Sequence, residues 1–131
     1  MRKPDWAEQL NKYLTKLNTK TFKFGEYDCC IFVADAVLAM TGVDHMAEYR
    51  HNYETIEAGN VLLETLGQGS LFETLKSKFG EPLRGCYGRK GDIAFEDDSC
   101  GIVLGRSVLF IGEKGHVLFP LRKIPFIFRV T

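Results

Sequence analysis

The sequence has no excess of charge of either sign: 17 Lys and Arg stand against 17 Asp and Glu, dispersed along the chain. A basic stripe able to follow a phosphate backbone is therefore missing, and nucleic acid is not an expected partner. Long apolar runs are missing too. The most hydrophobic window, CCIFVADAVLAM, is interrupted by Asp35 and is shorter than the roughly 18 to 20 residues that cross a bilayer, so no membrane span is expected. The opening MRKPDWAEQL lacks the apolar stretch and small-residue cleavage site of a secretory signal, which points to a reducing cytoplasm and free thiols. Cysteine is sparse: Cys29 and Cys30 are adjacent, while Cys86 and Cys100 stand alone. Without C-x2-4-C spacing the pattern argues against a metal site, and nothing calls for a cofactor. Repeats, low-complexity tracts and linker-like segments are also absent. The 131 residues therefore read as one domain with one core.

What is present begins with helical periodicity. Trp6, Leu10, Tyr13, Leu14 and Leu17 recur at three- and four-residue steps, which predicts a helix from Asp5 to about Asn18 with Asp5 as its cap. Cys29, Phe32, Val33, Ala36, Val37 and Met40 predict a second helix, capped by Asp28 and ended by Gly42. A short turn near Met46 and helices around Thr55 to Leu66 and Ser70 to Phe79 follow. From Leu83 the character changes. The runs IAF, GIVLG, SVLFI, HVLFPL and FIFRV, separated by GRKGD, EDDS and GEKG, predict about five strands joined by tight turns. Helices first and a meandering antiparallel sheet afterward make an α+β domain. The terminal IPFIFRV is apolar enough to be either a core strand or a docking surface.

The chemistry-bearing position is Cys29. A thiol in the first turn of a helix is favoured as its anion by unpaired N–H groups and by the positive end of the helix dipole. Gly25 in the preceding loop permits close backbone approach, so N–H groups near Cys29 are placed to hold an oxyanion. The same residue also belongs to the apolar stripe, where cysteine is an ordinary small core residue. Cys30, about 100° further round the helix, reads as packing.

These residues carry a resemblance. The N-terminal helix, the aromatic-Gly-x-x-Asp-Cys segment Phe24 to Cys29, and the strand Gly91-Asp92-Ile93-Ala94-Phe95 followed by Gly101-Ile102-Val103-Leu104-Gly105 resemble the NlpC-like cell-wall cysteine hydrolases. More closely, FGEYDCCIFVADAVLAMTGVD resembles a small family encoded in tailed phages and prophages, an offshoot of those hydrolases, and the likeness covers roughly residues 6 to 130. It implies a papain-like fold with Cys29 as the nucleophile position. It also implies a His immediately before the run Cys100-Gly101-Ile102-Val103-Leu104-Gly105, where this chain has Ser99. A thiol nucleophile needs a base that afterwards protonates the leaving group, and serine does neither near neutral pH.

Three histidines remain as substitutes. His45 and His51 lie in the connection after the core helix and read as solvent-facing loop residues. His116 begins the HVLFPL strand and is the candidate base if the strand register brings it to Cys29. Asp97 and Asp98 read as a solvated hairpin turn able to orient a base, and Asp35 as a surface or hydrogen-bonded structural residue.

The resemblance therefore implies a tail-associated protein whose hydrolase-like fold serves assembly, with other phage tail proteins as partners, in the bacterial host cytoplasm during assembly or in the virion tail. The alternative is an active cysteine amidase or peptidase acting on peptidoglycan or a tail precursor through Cys29. A third reading is a host-derived binding or toxin-related domain on the same fold.

Overall fold

The computed structural model describes residues 1–131, and it is an α+β domain. Four helices come first: α1 (Trp6–Leu14), α2 (Cys29–Thr41), α3 (Ile56–Thr65) and α4 (Leu71–Phe79). Six strands follow: β1 (Leu83–Arg84), β2 (Ile93–Glu96), β3 (Ser99–Val103), β4 (Ser107–Gly112), β5 (Gly115–Pro120) and β6 (Phe126–Phe128). All pairings are antiparallel and the spatial order is β1-β6-β2-β3-β4-β5.

Helix α2 is apolar nearly all round, and a helix of that kind has to sit inside the domain. Ile31, Phe32, Val33, Ala34, Ala36, Val37 and Met40 are buried where α1 and the sheet enclose it. Removing each large side chain from water contributes roughly 1.5 to 3 kcal/mol, which makes α2 the element that organises the core. Its ends behave as read from the sequence: Asp28 accepts the Ile31 N–H, and Gly42 takes the left-handed conformation (φ 80°). Helices α3 and α4 likewise start at their Thr55 and Ser70 caps.

The sheet separates two apolar layers by strand alternation. Ile93, Phe95, Cys100 and Ile102 face α2, while Ala94, Val103, Val108 and Ile127 belong to a smaller cluster on the other face. No helix is long and apolar enough to cross a membrane.

Two expectations change and one open alternative is decided. Helix α1 ends at Leu14, and a separate short 3-10 turn over Leu17–Thr19 delivers Leu17 to the core. Asp5 does not cap α1: its backbone (φ −99°, ψ 25°) is not extended, and its carboxylate accepts from the Gln9 side chain at 2.9 Å instead. The terminal IPFIFRV is a core strand, because β6 inserts between β2 and the additional strand β1 and buries Ile127 and Phe128; Phe126 alone stays 41% exposed.

The chain ends are tied by a buried carboxylate. Asp92, with no exposure, accepts from Arg2 (3.1 Å), Arg129 (3.0 Å) and the N–H groups of Arg89 and Val130. Arg2 also donates to the carbonyls of Lys90 and Val130.

Candidate thiol site

The loop before α2 is shaped by glycine and by one carboxylate. Gly25 has φ 83°, and a Cβ there would lie 2.2 Å from the Tyr53 carbonyl oxygen, so this position needs glycine twice over. Asp28, nearly fully buried, accepts from the Gly25 N–H at 3.0 Å, from the Ile31 N–H at 2.9 Å and from the Tyr53 hydroxyl. The cap of α2 is thereby welded to a segment 25 residues later in the chain. Burial, and then the Asp28 carboxylate, keeps the Tyr53 phenol well above its usual range, so it remains a donor at any ordinary pH.

This clamp fixes Cys29 as the first residue of α2, and Cys30 follows it. Their sulfurs are 3.9 Å apart. Cys100, only 1% exposed, projects from β3 and directs its Sγ–H at the Cys29 carbonyl oxygen, 3.5 Å away. The three Sγ atoms all lie within 4.8 Å of one another. Hydrogen bonds from the Cys100 and Cys30 thiols hold Cys29 well below the ordinary thiol value near 9, outweighing the opposing effect of burial. Cys100 is pushed up by its contacts with Cys29 and Cys30 and by burial. Cys30 is drawn down by its contact with Cys100, but donation to Cys29 and burial prevail and push it up. The cluster thus lowers Cys29 at the expense of its two neighbours, in the direction the helix dipole also favours.

Cys29 and Cys30 open onto a cavity of about 380 Å³ walled by Phe22, Phe24, Tyr49, Tyr53, Leu63 and Leu71. Its ionisable lining besides the phenols and thiols is Asp28, Glu64 and Asp98, with no Lys, Arg or His. The cavity therefore disfavours anions.

No histidine lines that cavity; His45 lines a smaller one together with Cys30 and Cys100. His116 sits exposed on edge strand β5, and its Nε2 lies 3.2 Å from the Tyr27 hydroxyl rather than against Cys29. The register Ile111↔His116 fixes it there. Tyr27 itself is pushed up to about 12, chiefly by burial. His45 packs edge-on against Phe79 at 4.8 Å and is lowered by burial and by Lys78. His51 is exposed with its Nδ1 3.6 Å from Glu26. No histidine is therefore among the groups that set the acidity of Cys29.

Ser99 does not face Cys29. The pairings Phe95↔Cys100 and Ile93↔Ile102 put Cys100 on the α2 side, so alternation turns Ser99 to the face of Gly101 and Val103. The residue across from Cys29 is Cys100. Asp97 and Asp98, with φ of 49° and 57°, form the tight β2–β3 turn, and Asp98 reaches the cavity wall. Asp35 has the hydrogen-bonded role expected of it, at 2.6 Å from Arg50.

Sequence spacing misses what the third dimension assembles here. Spacing rules connect cysteines that are neighbours in the chain, whereas Cys100 arrives from the sheet 71 residues later. Reading Cys100 together with Ile102 on one strand face carries the signal for it. Tyr53 has no such signal in the sequence.

No curated protein and no solved structure matches the chain. Residues 1–130 match the family described as a domain of unknown function (DUF6950), and the chain belongs to that family.

Proposed function

We propose that this chain is a tail-associated protein of a tailed phage or prophage, in which a papain-like, cysteine-hydrolase-like architecture serves binding and assembly rather than base-assisted acyl transfer. The observation that carries this reading is Cys100 across from Cys29: a buried thiol, itself raised in pKa, stands where a hydrolase needs a base. A thiol can be acidic without being catalytic, since expelling an amine also requires a proton donor matched to neutral pH. The family likeness of the Phe24 to Asp44 segment supplies the tail context, and other tail proteins are the partners it implies.

Deleting the gene from an inducible phage or prophage tests the reading. Particles with defective tails are expected under the electron microscope, with tails restored by a Cys29→Ser copy. Normal tails without the gene would overturn it.

A second reading, an amidase or peptidase acting on peptidoglycan or a tail precursor, is favoured by the acidity of Cys29 and the cavity beside it. It requires turnover of stem peptides or of the precursor that disappears in Cys29→Ser, and this turnover is not expected.

A further inference from the structure

The three thiols share a property that neither reading uses. Cys29, Cys30 and Cys100 converge from two rigid elements, the first turn of α2 and a central strand, so their convergence owes nothing to a mobile loop. Zinc–thiolate bonds of about 2.3 Å at tetrahedral angles place neighbouring sulfurs about 3.8 Å apart. The Cys29–Cys30 separation is 3.9 Å, and the third sulfur is within 4.8 Å of both. We propose that Cys29, Cys30 and Cys100 form a three-thiolate site for a thiophilic divalent cation of the zinc class, with its fourth position open to the cavity.

Four features of the surroundings fit that ligand. The donors are all sulfur, which selects soft or borderline cations over magnesium or calcium. The charged groups on the wall of the cavity that Cys29 and Cys30 line are Asp28, Glu64 and Asp98, all acidic, while Lys78 and His45 line a separate small cavity on the Cys30 and Cys100 side. The excess negative charge of three thiolates around a divalent ion falls at the N-terminal end of a 13-residue helix, where the backbone offsets it. Three protein ligands with a cavity at the remaining position make an open site, where solvent or a small donor completes the tetrahedron. The Cys100 contact to the Cys29 carbonyl, at 3.5 Å, is weak enough to be given up when the thiol ionises to bind the metal.

The exposed Cys86 lies outside the cluster and would blur the measurement, so the test uses the full-length Cys86→Ser protein, reduced and kept free of oxygen. Titration with Co2+ alone is expected to give a sulfur-to-cobalt charge-transfer band that saturates at one ion per chain. Adding Zn2+ should bleach that band and raise the melting temperature, because an ion held by the folded state alone stabilises it. Cys100→Ser should weaken Co2+ binding more than about tenfold, the lower end of the range seen when even a supporting group of a metal site is lost. If Cys100→Ser does not fold, Cys29→Ser, at the half-exposed position, provides the same comparison. Absence of the band at saturating Co2+ in the Cys86→Ser protein would overturn the proposal without recourse to either variant. Binding left unchanged by Cys100→Ser, in a variant whose near-ultraviolet circular dichroism is intact, would overturn it as well.

Discussion

Two buried polar clusters flank the core helix and the sheet, and they are built on opposite terms. Around Asp92 every lone pair has a partner: two guanidinium groups and two backbone N–H groups converge on one carboxylate, and through them Arg2 near one end of the chain is fastened to Arg129 and Val130 near the other. Around Cys29 three sulfurs face one another, and the acidic one is supported only by weak thiol donors and the helix end. A structural cluster closes its valences on itself. The thiol cluster leaves its own open toward a cavity.

The largest effect expected from this contrast comes from Asp92→Ala. Removing the carboxylate strands two arginines that are only partly exposed, and should cost about 3 kcal/mol, the lower end for breaking a buried pair because both guanidinium groups retain some access to water. Urea denaturation measures it, and a loss below about 1 kcal/mol would erase the distinction between the clusters. Asp28→Ala comes next. It removes a helix cap and leaves the buried Tyr53 hydroxyl without its acceptor, at a cost of about 2 kcal/mol in the same denaturation experiment.

A smaller effect, of opposite origin, comes from pH. Cys30 and Cys100 are held above the ordinary value near 9, so above that pH the unfolded chain binds fewer protons than the folded one. Stability present below pH 9 is therefore lost as pH rises from 9 to 10, with a slope approaching about 1.4 kcal/mol per pH unit for each thiol. Cys29 has the reverse sign: its depressed value contributes stability above the unfolded pKa, and this is lost as pH falls through the folded one. Denaturation midpoints of the reduced, chelator-treated protein across this window check it. A flat profile from 9 to 10 would mean that the two thiols are not shielded.

Much of the scaffold is legible in the sequence because it rests on local rules. Helix α2 is announced by the period of its apolar residues, by Asp28 and by Gly42, and five of the strands by branched runs between glycine-bearing turns. The failures arise where a decision belongs to partners far away. Asp5 looks like a cap, but its backbone sets the carboxylate toward Gln9. IPFIFRV looks equally like a surface or a core strand, and only the strand order decides between them. His116 is the candidate for the missing base and Ser99 marks the position the base has left; register places His116 against Tyr27 and turns Ser99 to the far face of the sheet. Cys100, which no spacing rule connects to Cys29, is the residue that arrives.

The measurement that bears most directly on this account is the pH dependence of Cys29 alkylation in the Cys86→Ser background, compared between His116→Ala and Cys100→Ala. An acidic thiol is expected, with a titration unmoved by loss of His116 and shifted upward on loss of Cys100. A titration that returns toward the ordinary thiol value in His116→Ala, and stays low in Cys100→Ala, would contradict it and establish a Cys-His pair.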